Sequence, residues 1–251
     1  MSFLCSIKFK DMPTAPKWVN DALEKIAPSM LRMVKVEEIF YLNPCIKKVR
    51  LRGDFSALHF APGFVISFRV SPTELRHYTV SQFDASSRTM DFIAHIHGDA
   101  IGAQYINGLM PGNEKIKLAV LGSDKQYDSK VEKQIIFGDE TSLSLMSSFL
   151  PYLQQNQHQY QFLLELDDEN RDIPEKLRLE NYRVYSKNDL FRDKDQIHTI
   201  PHLLENAWSD ANIVLTGNVD SIQNFRKVLK ENKHKGKIYV KGYWMEGKKG
   251  L

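Results

Sequence analysis

Six β-branched or aromatic runs crowd into the stretch from residue 29 to about 120, and their spacing limits the fold more than any other feature. They cover residues 33–41, 46–51, 64–70, 77–83, 89–95 and 116–121, and Gly, Pro, Asn or Asp cut them apart. Runs this short and close predict an antiparallel sheet closed into a small barrel. A short helix over 18–26, with Pro13 and Pro16 before it and Pro28 after it, precedes the barrel. Between the last two runs alternation stops, and 100–106 reads as a helix with small residues at its start. Such a start lets backbone N–H groups approach a phosphate, although a plain surface helix has the same pattern.

Beyond a polar linker at 122–130 the texture changes to strand, helix, strand, helix. Strands are expected at 134–137, 160–166, 182–185, 212–216 and 237–241, and helices at 142–154, 201–208 and 219–230. This order implies a parallel sheet covered by helices. The chain therefore divides into a barrel domain, 1–128, and an α/β domain, 129–251. Ligands of open α/β sheets bind beyond the carboxyl ends of the strands, where Gly138-Asp139-Glu140-Thr141 and Gly217-Asn218 fall.

Arg76-His77-Tyr78-Thr79-Val80 gathers three tools at one place. A guanidinium can fork onto a phosphate, a phenol ring offers a rigid flat face, and a threonine hydroxyl can bond the polar edge of a planar ring. Strand alternation puts Arg76 and Tyr78 on one side and His77 and Thr79 on the other. The plainer reading is a strand end with an exposed Arg and a half-buried Tyr.

Composition excludes more than it selects. An apolar share of 42% and a charged share of 26% suit a soluble globular protein, and a net charge of +3 is too mild to demand nucleic acid. Cys5 and Cys45 give neither metal spacing nor a disulfide framework, which fits a reducing compartment. The first ten residues lack a signal-peptide core and no stretch is long enough to span a membrane, so a cytoplasmic location is expected.

In sequence order, several motifs resemble those of the siderophore-interacting protein family, flavin-dependent ferric-siderophore reductases on the ferredoxin-reductase fold. Arg76-His77-Tyr78-Thr79-Val80 matches the family's Arg-x-Tyr-Thr motif, and Asp91-Phe92-Ile93-Ala94-His95 its following strand. The 100–106 segment stands where the family has Gly-Pro-Ala-Ser-x-Trp-Ala, and Pro111-Gly112 matches its Pro-Gly-Asp. Gly138-Asp139-Glu140-Thr141 is similar to its Gly-Asp-Glu-Thr-Ala, and Gly242-Tyr243-Trp244 to its closing Gly-Tyr-Trp-Arg. The resemblance runs from about 29 to 247.

The resemblance implies FAD as cofactor. Arg76, Tyr78, Thr79 and Val80 would hold the flavin ring and its ribityl phosphate, while His95, His97, Ala100, Gly102 and Ala103 would take the diphosphate and adenosine side. Thr141 and Trp244 would approach from the second domain. Ile101 and Ala103 replace the family's Pro and Ser, Tyr105 its Trp, Asn218 its usual Glu, and Met245 its Arg. The last two lie where a nicotinamide would dock, so the donor stays open between NAD(P)H and reduced ferredoxin. Arg50, Arg52, Lys241, Lys248 and Lys249 could line a pocket for an anionic iron chelate, or form a solvated face.

Other residues have plainer readings. His95 and His97 lack the carboxylate or cysteine partners of a metal site. Asp139 and Glu140 read as turn and helix-capping residues, because electron transfer needs no acid/base pair. Trp244 suits core packing as well as it suits a flavin neighbour. The expected activity is single-electron reduction of a ferric siderophore by reduced FAD, releasing Fe(II), in a monomeric protein. The alternatives are a flavin or ferredoxin-type reductase with another acceptor, and a ferric-siderophore-binding protein without turnover.

Overall fold

The computed structural model describes residues 14–248 apart from 27, 99, 124, 188–189 and 201–205. Its first half is a closed antiparallel barrel of β1 (Leu31–Tyr41), β2 (Ile46–Gly53), β3 (Phe64–Arg69), β4 (Leu75–Asp84), β5 (Thr89–His95) and β6 (Ile116–Ser123). The strands close in the order β1-β2-β5-β4-β3-β6. Alternation decides what lies inside: Val36, Val49, Leu51, Ile66, Phe68, Val80, Phe92 and Leu118 are all buried in one core. α1 (Lys17–Ile26) lies on the outside, where Asp21 and Glu24 pair with Arg69 of β3.

α2 (Ile101–Asn107) packs onto the barrel core through Ile106, with Leu109 beside it. Lys47, only 1% exposed, fixes its end: Nζ donates to the carbonyls of Ile106, Asn107 and Leu109 at 3.0, 3.0 and 3.1 Å. A cation at a helix C-terminus satisfies orphan carbonyls and complements the helix dipole.

The second half is a five-stranded parallel sheet of β7 (Lys133–Gly138), β8 (Gln159–Leu166), β9 (Tyr182–Ser186), β10 (Asn212–Asn218) and β11 (Ile238–Trp244), in the order β11-β10-β7-β8-β9. One face packs under α3 (Leu143–Gln155), and α4 (Ile173–Lys176) adds Ile173. The other face packs under α5 (Lys194–Ile197) and α6 (Val219–Glu231), where Ile222, Phe225, Val228 and Leu229 meet Ile213 and Leu215. Ile46 and Ile93 of the barrel share a core with Leu143, Met146 and Phe149, so α3 joins the two halves.

The expected strands all form, with small shifts at their ends. β11 runs on to Trp244 because β10 continues beside it, pairing Asn218 with Trp244 after an irregularity at Gly217. Most of the helix expected at 201–208 lies outside the described residues, and Asn206–Trp208 forms a 3-10 turn. α4 and α5 have four residues each, too few to display a helical period in sequence. Cys5 and Lys249 also lie outside the described residues.

Candidate functional site

The barrel wall parts at the Arg76–Val80 motif. β4 pairs with β3 from Leu75 to Thr79, but its ladder with β5 runs only from Val80–Phe92 to Asp84–Thr89. Beyond Val80 the two strands diverge. α3 enters there: Ser144 Oγ accepts from the backbone N of Ile93 at 2.7 Å and donates to its carbonyl at 3.1 Å. The serine thus stands in for the strand that has moved away and satisfies backbone groups that cannot be buried unpaired.

Within the motif, alternation places the residues as expected. Val80 is fully buried in the barrel core, and Tyr78 points to the same side, its ring 5.1 Å from Phe92 and 5.8 Å from Phe68. Burial raises the Tyr78 phenol above its ordinary range, with Arg76 opposing. Tyr78 is therefore half-sunk among core aromatics, and does not stand clear of the wall as an open platform. Thr79 is buried on the opposite side.

Arg76 lies against the start of α2. A Cβ added to Gly102 would meet Arg76 Cγ at 2.9 Å, so glycine lets the arginine stem cross the helix. The guanidinium bonds the Leu75 carbonyl at 2.8 Å and the Glu74 carboxylate at 3.2 Å. Ala100 is the N-cap without a side-chain bond, and Gly102 and Ala103 are buried in the packing. His95 ends β5, and its ring lies 5.1 Å from that of His97.

The sheet supplies the facing wall. Reversal of strand order between β7 and β10 puts Gly138-Asp139 and Gly217-Asn218 at the switch point of the sheet. Asp139 is 1% exposed and acts as a hub. It accepts from Thr141 N at 2.9 Å, from the Thr141 hydroxyl, from Asn218 N at 2.9 Å, and from Trp244 Nε1 at 2.6 Å. Burial pushes its carboxyl up, and the Thr141 and Trp244 bonds offset part of this. The expected capping role is present, since Asp139 caps the 3-10 turn Glu140–Ser142. Sequence did not reveal that the same carboxylate ties together two strands and the last aromatic residue.

Beside it, Glu140 accepts from Asp167 N, Asn170 Nδ2 and Lys187 Nζ at 2.8, 2.9 and 2.8 Å, and Lys187 also reaches Asp167 at 2.9 Å. Burial pushes Glu140 up, but Lys187 and these hydrogen bonds outweigh it and hold the carboxyl below its usual range. Lys187 lies 5.6 Å from the centre of the Trp244 ring. Ligand atoms of His95, Glu140 and Asp167 all fall within 4.8 Å of one another, so barrel and sheet meet here. The Lys187 ammonium already pairs both carboxylates. Burial pushes His95 down to about 4, against the pull of Glu140, so the imidazole is neutral at pH 7.

The basic residues separate. Arg50 forms two 2.9 Å bonds with Asp91, and Arg52 pairs with Glu37. In the β2–β5 register Ile46 opposes His95 but Arg52 opposes Thr89, about 20 Å along the strand. Arg50 and Arg52 are thus committed to acids of the barrel wall, while Lys241 pairs with Thr216 in the sheet and Lys248 lies in the exposed turn after β11. Lys187 and Ser144, which complete the seam, carried no sequence signal, because only folding brings β9 and α3 to β5.

No family model matches the sequence, and no curated protein matches it at significant similarity. Solved structures do. The siderophore-interacting protein from Acinetobacter baumannii superposes with a TM-score of 0.68 at 17% identity, over 86% of this chain and 91% of that one. A ferredoxin NADP+ reductase from Neisseria gonorrhoeae, solved with FAD and NADP, gives 0.66 at 11% identity, over 85% and 98%. Full-length CYP116B46 from Tepidiphilus thermophilus gives 0.69 at 14% identity over 87% of this chain, which spans only 29% of that protein. Likeness at such identities is likeness of fold, and this chain has the barrel-plus-parallel-sheet architecture shared by ferredoxin-reductase-like and siderophore-interacting proteins.

Proposed function

We propose that the chain is an FAD-dependent reductase of ferric siderophores, with residues 1–128 holding the flavin and 129–251 forming the facing domain. The carrying observation is the parting of β4 from β5 at the Arg-x-Tyr-Thr motif, opposite the Asp139 hub. Where the strands diverge, the Arg76–Thr79 backbone has no β5 partner on that edge. A flavin ring edge, rich in hydrogen-bonding groups, fits such a slot. Arg76 at the start of α2, with Gly102 permitting close approach, fits the diphosphate side.

Bound FAD would supply the redox chemistry, accepting two electrons and passing them on singly. The chain's own residues position and screen. Arg76 offers a cation to phosphate, Thr79 and the β4 backbone would bond the ring edge, and Asp139 fixes Thr141 and Trp244 on the other wall. Neutral His95 adds no charge to the seam, and Ala100, Ala103 and His97 border the adenosine side. Lys241 and Lys248, flanking Trp244 in sequence, would offer positive charge to an anionic chelate. Hard oxygen ligands hold Fe(III) far more tightly than Fe(II), so one electron loosens the chelate without a proton-transfer residue.

The electron donor is NAD(P)H or a reduced ferredoxin. Asp139, Asn218 and Trp244 fill the switch point with their own side chains, and a Cβ on Gly217 would lie 2.6 Å from Asp139 Oδ2.

The test is a visible spectrum of the purified protein, reconstituted with FAD if needed, followed by anaerobic dithionite and then a ferric siderophore. Flavin bands that bleach, then return as a ferrous trap colours, support the reading. A protein that never takes up flavin overturns it. A reduced flavoprotein that ignores ferric chelates keeps the cofactor and moves the acceptor elsewhere.

A further inference from the structure

A cavity of about 370 Å3 lies on the outer face of the barrel, beneath α1 and against β3, β4 and β6. Leu31, Leu75, Ile116 and Leu121 give it a largely apolar wall. Alternation along β4 turns Leu75 and His77 towards it and Arg76 and Tyr78 away, so it lies on the other face of β4 from those two side chains, with Tyr105 of α2 at its border.

Two features mark it as more than a packing fault. Ser67, 3% exposed, lines it with a hydroxyl oxygen that is buried and has no hydrogen-bond partner among the described residues. A buried polar group left in this way costs free energy that a bound partner would recover. Ser67 stands opposite His77 on β4 and opposite Ala119 on β6, so these three residues form the cavity floor. The roof is fastened by ions rather than by a continuous apolar interface. Arg69 bonds Asp21 and Glu24 at 2.8 and 3.1 Å, Lys117 bonds Glu24 at 2.6 Å, and Asn20 bonds the Pro72 carbonyl at 3.2 Å. Ion pairs of partly exposed side chains are weak, and they neutralise Arg69 and Lys117 at the mouth, where Lys115 also lies.

We infer that this cavity binds a compact, uncharged, mostly apolar molecule carrying one hydroxyl or carbonyl, which hydrogen-bonds Ser67 while its body packs against Leu75 and Leu121. The volume lies at the lower end of the range of small-molecule pockets, and an apolar wall with a few placed polar groups, here Ser67 with His77 and Tyr105, is their usual make-up. The inference is independent of flavin binding.

The test titrates the full-length protein with 1-naphthol, and with naphthalene as the same body lacking the hydroxyl, following the intrinsic fluorescence of each probe. Saturable 1-naphthol binding is expected, and S67A should weaken it about fivefold to tenfold while leaving naphthalene unchanged. A119F, which puts a ring on the cavity floor, should abolish both. Should A119F fail to fold, as judged by circular dichroism, the Ser67→Ala comparison decides alone. Absence of saturable binding, or binding that S67A leaves unchanged, overturns the inference.

Discussion

Trp244 donates its indole N–H to Asp139 Oδ2 at 2.6 Å, joining the end of the last strand to the end of the first strand of the sheet. Thr141 and Asn218 donate to the same carboxylate, so one buried acid holds the facing wall of the seam in a single arrangement.

Removing that acid should be costly. D139A leaves the Trp244 indole and the Thr141 and Asn218 amides without their acceptor, and should lower unfolding free energy by about 3–5 kcal/mol. W244F removes one donor and should cost about 1–3 kcal/mol. Urea denaturation measures both, and a double-mutant cycle should show strong coupling. Additive losses would mean that the two side chains do not act together.

Glu165 should make stability fall as pH rises. Burial pushes its carboxyl from 4.5 to about 7, with the Ser221 hydrogen bond opposing. Between those values the folded chain keeps a proton that the unfolded chain has lost, so stability declines across the window by on the order of 3 kcal/mol. E165Q should flatten this limb in urea titrations at stepped pH. A wild-type limb unaltered in E165Q would assign it elsewhere.

His95 acts in the opposite sense. Its pKa falls from 6.5 to about 4 through burial, so the unfolded chain binds a proton that the folded chain refuses. The stability this contributes is complete above about pH 6.5 and is lost as pH falls towards 4. The His95 ring resonance, followed by NMR, should stay in its neutral position down to about pH 5. Titration near 6.5 would show the ring to be solvated.

Lys47 should matter more than an ordinary lysine. K47M keeps the stem but leaves three carbonyls at the end of α2 without their donor, and should cost about 2–4 kcal/mol. Hydrogen exchange should accelerate over residues 104–110. An unchanged urea midpoint would show that water replaces the ammonium without loss.

For the flavin reading, R76M should weaken FAD retention at least tenfold, since one charge-assisted phosphate contact is worth about 1.5–3 kcal/mol. R50M, with its guanidinium committed to Asp91 on the barrel wall, should bind FAD like the parent protein. Equal losses in both would dissociate the motif from the cofactor.

Sequence alone determined the division into antiparallel and parallel halves, because side-chain period and strand spacing are local properties. Val36, Ile66, Val80 and Leu118 alternate in the chain as they alternate in the barrel, and Ile222, Phe225 and Leu229 recur at helical spacing as they do in α6. The Arg76–Val80 motif was legible as a strand. What the strand does was not: its separation from β5, the entry of Ser144, and the sinking of Tyr78 among Phe68 and Phe92 depend on partners far along the chain. The same holds for the pairing of Arg50 with Asp91 and of Arg52 with Glu37, partners that lie on other strands. Lys187 and the Asp139 hub became visible only when β7, β9, β10 and β11 came together, since a buried charge is defined by the neighbours that compensate it and not by its own position in the sequence.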